Sequence, residues 1–335
     1  MPILTIRHVT TYHYRRPVSF GEHQMMLLPR DEGDQKVIES DLKITPKPSQ
    51  LTWTQDEFGN HLAIAAFADR ASELRFASTI RVDHVPVAFR AADIEDFART
   101  HPFAYATHDR PGLASFIGQI SAHPEVDRWA ASFLHEAGST ATSDLLVAMT
   151  QAIKRTFKHV VRHEKGTQDP IETLTLRRGS CRDLAVLMIA ALRSLGIAAR
   201  FVSGYLHLPD DDDVTGGNTH AWVQAYVPGP GWIDCDPSSG TVGNQDLVRV
   251  AVVREPNEAI PLQGTWFGNA SDHLAMRVAV KVRATADPER RPTTMTLGRD
   301  GRGAPITGRG RRREWNIFAA SSLSHIRRTG RRSFG

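Results

Sequence analysis

The chain has 335 residues, 41% hydrophobic and 23% charged, the balance of a globular protein with apolar material for about two domains. No run approaches the ~20 consecutive apolar residues that cross a bilayer, and two cysteines cannot build the disulfide framework of a small secreted domain. The net charge of +4 is unevenly placed: residues 287–335 hold twelve arginines, no lysine and four acidic residues, so the rest of the chain is net negative. A basic balance of that kind is poor evidence that the main body binds nucleic acid.

Residues 1–88 read as strands. Ile3, Thr5 and Arg7 alternate with Leu4, Ile6 and His8, later runs such as Ala77–Val82 are short and β-branched, and turn signals at 30–34, 46–48 and 58–60 separate them. An all-β N-terminal module is expected. The opening residues lack a basic start followed by a long apolar run, which is not the pattern of a signal peptide. A cytoplasmic location is therefore expected, with both thiols reduced rather than bridged.

Helical spacing follows. Pro124 suits a first helical position ahead of Val126, Trp129, Ala130, Phe133 and Leu134, and Gly138 supplies a stop. Thr142 or Ser143 can cap a second helix carrying Leu146, Met149, Ile153 and Phe157. A third helix, Cys181 to Leu195 and closed by Gly196, is apolar on nearly every side and should be buried all round. Strand-like segments at 198–208, 219–227, 232–236 and 276–282 complete an α+β domain over residues 89–284, its central helix packed on an antiparallel sheet. Residues 285–335 lose periodicity and read as a disordered, Arg-rich tail.

In the run Arg177 to Asp183, Ser180 and Asp183 have capping-box spacing just before the apolar helix. Cys181 then lies in the first turn, where free N–H groups and the helix dipole stabilise a thiolate. Arg177, Arg178 and Arg182 add positive potential there. Cysteine is also a common buried apolar residue, so a reactive role needs a partner base.

The partner candidate is His220, in the alternating run Asn218 to Val227. Ala221, Val223, Ala225 and Val227 take the core face, while His220, Trp222, Gln224 and Tyr226 share the other. The turn Pro228–Gly231 makes a hairpin with Trp232–Asp236. A register pairing Tyr226 with Trp232 sets His220 opposite Ser238, so that Asp236 can reach the imidazole, Asp234 lies too far, and Cys235 turns to the core. Trp222 and Trp232 are candidates for the walls of a substrate cleft, with core packing as the alternative. The run Asp210–Asp213 reads as a solvated loop. Cys181, Cys235, His207 and His220 lack the paired spacing of a zinc site.

These residues carry a family resemblance. Gly179 to Asp183, Leu192 to Tyr205, His220 to Val223, and Gly231-Trp232 through Asp236-Pro237 resemble the core of bacterial transglutaminase-like proteins. Tyr14, Pro17-Val18, Leu28-Pro29-Arg30 and Phe58-Gly59-Asn60 resemble the β module that precedes it in many members. Ser238-Ser239 departs from the Thr-Asn often found there. The resemblance implies a papain-like cysteine-proteinase architecture, with Cys181, His220 and Asp236 on the three catalytic positions.

The function expected is acyl transfer at a carboxamide through a thioester, without metal or organic cofactor. Peptide or amide hydrolysis, or cross-linking to a primary amine, would follow on a peptide or protein substrate. The alternative is a non-catalytic module that binds peptides or partners on the same fold. Neither membrane nor nucleic acid is an expected partner, beyond weak salt-sensitive contacts of the tail.

Overall fold

The computed structural model describes residues 3–118, 123–135, 138–162, 164–208, 219–285 and 325–328. Its first strand, β1 (Ile3–Met25), alternates buried and less buried residues along 23 positions, the period-2 pattern of a strand with one face in a core. One strand of that length serves two layers. Residues 3–13 pair on either side with β5 (Ala71–His84) and with the much later β16 (His273–Thr285), and β2 (Gln35–Thr45) extends the layer beyond β5. Residues 19–25 pair with β15 (Leu262–Phe267) and residues 23–25 also with β4 (His61–Ala66), and β3 (Gln50–Gln55) lies outside β4. Tyr12, Tyr14, Phe20, Met25, Phe76 and Trp266 fill the fold between the layers.

The helices follow: α1 (Arg110–Ile117), α2 (Pro124–Ala131), α3 (Thr142–Thr156), α4 (Pro170–Leu176) and α5 (Cys181–Ser194). Two-residue ladders tie the segments between them. β6 (Thr100–His101) pairs with β7 (Thr140–Ala141), and β8 (Lys158–His159) runs parallel to β9 (Arg178–Gly179). A five-stranded antiparallel sheet comes next, in the order β13 (Thr241–Val242), β12 (Gly231–Asp236), β11 (Thr219–Val227), β10 (Ala199–Leu206) and β14 (Leu247–Val253). Helix α5 lies on it, burying Leu184, Leu187, Met188, Ala191 and Leu192 against Phe201, Ala221, Val223, Ala225 and Cys235. The α+β arrangement expected from the pattern, papain-like as the resemblance implies, is the one formed.

Two expectations change. The boundary at residue 89 does not separate two spatial units, because β15 and β16 return across the whole chain to flank β1. Strand character is local, but the choice of partner is not: residues 276–282 form the strand expected of them in β16, on the sheet of the N-terminal module, and β15 was not anticipated. Helix α3 is capped differently: Thr142 lies inside it, with Ala141 at the cap, and its hydroxyl donates to the Ala98 carbonyl at 2.6 Å. Of the Arg-rich tail, 325–328 form β17 (His325–Arg328), parallel to β15. The expectation of disorder for 286–324 and 329–335 falls outside the described residues, as does the Asp210–Asp213 loop.

The face of the five-stranded sheet away from α5 is covered by the N-terminal module, and charge makes the joint. Arg249 of β14 is buried and pairs with Asp234 at 3.0 Å, Glu32 at 2.8 Å and Asp34. Asn60 is fully buried; its amide donates to the Val252 carbonyl and accepts from the Val252 N–H, joining the loop after β3 to β14. Arg30 holds that loop by donating to the Phe58 carbonyl and to Asn60.

Burial pushes the Asp234 carboxyl above its ordinary value, although Arg249 pulls the other way. Removing the counter-charge strands a buried carboxylate, so Arg249→Met should cost about 3–5 kcal/mol of stability. A carboxyl raised in the folded state contributes stability below its unfolded value and loses it as pH rises through the folded one. The deficit should therefore be larger at about pH 8 than at about pH 5. Urea unfolding of variant and wild type at both values checks this; a deficit that shrinks as pH rises contradicts it.

Candidate active site

Ser180 is the N-cap of α5 and forms a reciprocal capping box with Asp183, as the spacing predicts. Asp183 is fully buried and saturated. Its Oδ2 accepts from the Ser180 N–H and hydroxyl at 2.8 Å each, and its Oδ1 accepts from the Gln168 N–H at 2.7 Å and from Arg162 Nη1 at 2.9 Å. Gly179 has to be glycine, since a Cβ there would lie 2.7 Å from the Asp183 Cβ. These contacts hold Cys181 at N1 of a buried helix, beside amides that have no intrahelical acceptor.

The register of β11 and β12 is the one expected, with Tyr226 opposite Trp232. His220 consequently meets the end of β12. Its Nε2 lies 2.9 Å from Asp236 Oδ2 and 3.3 Å from the Ser238 hydroxyl. Asp236 is 1% exposed, and its Oδ1 accepts from the Ser238 N–H at 2.9 Å and hydroxyl at 2.8 Å. With Nε2 engaged by the carboxylate, Nδ1 is the nitrogen left to hydrogen-bond Cys181. Cys181, His220 and Asp236 are thus brought into one line, its carboxylate–imidazole link a hydrogen bond.

Electrostatics reinforce that line. Burial disfavours a thiolate at Cys181, but hydrogen bonds from His159 and His220 and their charges outweigh it and bring the thiol down to about 6. For His220 burial again opposes the charge, and Asp236 and the cysteine override it, lifting the ring to about 10. Asp236 is held well below the usual carboxylate range: burial opposes its charge, and His220, Ser239 and Ser238 overcome that. Both shifts favour a thiolate beside an imidazolium. The site is narrow: Cys181 keeps 5% of its surface and the His220 side chain 9%.

The two tryptophans do not wall a cleft at this site. Trp222 is fully buried; its indole N–H donates to Asp234 Oδ1 at 2.6 Å, and its ring stacks on His220 with centroids 5.9 Å apart. It is a backing for the imidazole, made possible by Gly204 on β10, where a Cβ would come 2.8 Å from the indole. Trp232 lies four residues along β12 from Asp236, roughly 13 Å away. There it packs against Phe116 and Tyr226, with the Arg200 guanidinium 4.1 Å from its ring centre. Cys235 is sealed in the core as expected, and burial drives its thiol upward. His159 was missed. It is one of fifteen histidines, on a two-residue strand whose pairing with β9 spans twenty positions, and no local pattern marks it.

A helix-borne cysteine meeting an imidazole on an antiparallel sheet defines the papain-like class of fold. Residues 4–83 match the bacterial transglutaminase-like N-terminal region, and residues 129–237, a span that includes all three site residues, match the transglutaminase-like superfamily. The chain thus carries a transglutaminase-like core preceded by the matching N-terminal region. It is 27% identical over 283 residues to an uncharacterized protein of Mycobacterium leprae, covering 83% of this chain and 98% of the other. It is 26% identical over 295 residues to an uncharacterized protein of Mycobacterium tuberculosis, covering 83% and 91%. A candidate cysteine protease of Cytophaga hutchinsonii shares the fold, with a TM-score of 0.66 and 21% identity over 85% of this chain and 91% of that one.

Alkylation of Cys181 by iodoacetamide should rise through about pH 6, whereas Cys235 should stay unmodified in the native protein. His220→Ala should move that midpoint upward, toward the ordinary thiol value of about 8.5. Peptide mass analysis of samples quenched across the pH range gives both profiles. Equal, slow labelling of the two cysteines would contradict the assignment.

Proposed function

We propose that the protein transfers acyl groups from carboxamides through a thioester on Cys181, with His220 as acid and base and Asp236 as its orienter. The observation that carries this reading is the His220–Asp236 hydrogen bond beside a thiol at the first turn of a buried helix. Each part answers a demand of the reaction. The thiolate is the nucleophile, and at neutral pH it is already formed. As the C–S bond forms, the carbonyl pair moves onto oxygen, where the Cys181 backbone N–H donates to it. His220 gives its proton to the departing nitrogen as the C–N bond breaks, then takes one from the incoming acceptor. Asp236, fixed by Ser238, holds the ring in the tautomer that faces sulfur.

With water as acceptor the outcome is hydrolysis of a peptide or side-chain amide; with a primary amine it is cross-linking. Hydrolysis is the outcome favoured here, since water is always present and its exclusion needs a dedicated site. The substrate proposed is a peptide or protein chain, threaded thinly enough to reach a nucleophile of which little surface is open.

Casein offered with and without a labelled primary amine separates the outcomes. New N-termini or released ammonia mark hydrolysis, amine incorporation marks transfer, and Cys181→Ala should abolish both. Asp236→Asn keeps the shape but loosens the hold on the ring, and should lower turnover by on the order of 10²- to 10⁴-fold. Absence of every product between about pH 6 and 9, with a Cys181 that labels no faster than Cys235, would favour a non-catalytic binding module on the same fold.

A further inference from the structure

His159 is the second imidazole that lowers the Cys181 thiol. It lies in β8, whose backbone is held at both ends: Lys158 N–H donates to the Arg177 carbonyl at 2.8 Å and Val160 N–H to the Gly179 carbonyl at 2.9 Å. The register sets His159 beside Gly179, two residues before Cys181. Phe157, immediately before β8, is buried in the core, with the Arg177 guanidinium 4.9 Å above its ring. The strand is therefore anchored on both sides while His159 itself is exposed. Its imidazole acts on the Cys181 thiol together with that of His220, one from β8 and one from β11.

One imidazole is enough to hold a thiolate. His220 does so, and its second nitrogen is committed to Asp236. A second donor on the same sulfur has its greatest value one step later. When sulfur bonds to carbon it loses its negative charge, and that charge appears on the carbonyl oxygen, one bond beyond the atom attacked. A donor already aimed at the sulfur needs only a small turn to meet the new anion. An imidazole carries at least one N–H in either protonation state, so this use requires no proton transfer.

We propose that His159 is a second catalytic imidazole of this site: its N–H holds the Cys181 sulfur at rest and passes to the carbonyl oxygen of a bound carboxamide as the C–S bond forms. The proposal rests on the acyl-transfer reading above. The sulfur lone pair forms C–S, the C=O π pair moves to oxygen, and His159 and the Cys181 N–H both donate to it. That pair then reforms C=O as C–N breaks. His220 supplies the proton to nitrogen, and His159 keeps its own throughout. The charged groups facing the sulfur are His159 from β8, His220 from β11, with Asp236 of β12 behind it, and Arg182 of α5, with Asp183 beside it.

The test uses full-length wild type, His159→Ala and His159→Gln, the last retaining a neutral donor. An acyl p-nitrophenyl ester is the probe, because its leaving group departs without a proton and His220's role as acid drops out. Iodoacetamide profiles first locate the pH at which Cys181 is fully ionised in each protein; in His159→Ala the midpoint should rise by about one unit. At a pH above all three midpoints, acylation of His159→Ala should be slower than wild type by on the order of 10²-fold, with His159→Gln recovering much of the loss. Thermal unfolding confirms that substitution at an exposed position leaves the fold intact. Acylation of His159→Ala at the wild-type rate under those conditions overturns the proposal while leaving the acyl-transfer reading in place. A wild type that neither labels selectively at Cys181 nor acylates overturns both.

Discussion

Asp183 is buried with no exposed surface, and four donors from three separate stretches of chain converge on its two oxygens. A carboxylate in that position is tolerable only because every donor is present. The consequence is positional. The cap residue before Cys181, the Gln168 segment before α4 and Arg162 just after β8 are drawn to one point, so the thiol, the short β8–β9 ladder and His159 share a common anchor. The reactivity argued for Cys181 depends on this anchor before it depends on either histidine, since a frayed first turn would withdraw the amides and loosen the sulfur from both rings.

The imidazole has an anchor of its own. Asp236 and Ser238 fix one edge of His220, and Trp222 covers one face. Trp222 is held by Asp234, Asp234 by Arg249, and Arg249 by Glu32 and Asp34 of the N-terminal module. A chain of contacts thus runs from the β module to the ring proposed as acid and base. The module is the second wall of the catalytic sheet, and strands from the far end of the sequence complete it. This gives physical content to Leu28-Pro29-Arg30 and Phe58-Gly59-Asn60, which stood out as motifs without an evident task. Arg30 and Asn60 lock the module to β14, and Gly59 supplies the positive φ of 76° that the turn between them requires.

Legibility differed by element for identifiable reasons. The capping box and α5 were readable because both are encoded within a few residues. The hairpin register was readable because a short turn leaves few pairings and the pleat admits only those of one parity. That parity placed Asp236 at His220 and Cys235 in the core. It could not say which of the two sheet faces would be sealed, so Trp222 looked available when it is in fact fully buried, packed with Val202, Leu247 and Val252. β14 is an uninterrupted buried run that contains an arginine, and that arginine disguises a fully buried strand until its three carboxylate partners are in view.

By itself, the sequence determined the helix that carries the thiol, the register of the hairpin that carries the histidine and aspartate, and the order in which they occur. All of these rest on short-range rules of capping, periodicity and turn length. Tertiary structure alone decided that β15 and β16 close the N-terminal sheet, that Arg249 ties that sheet to the catalytic one, and that His159 stands at the sulfur. Those outcomes depend on contacts between residues tens to hundreds of positions apart, where composition and period carry no information about which partner is met.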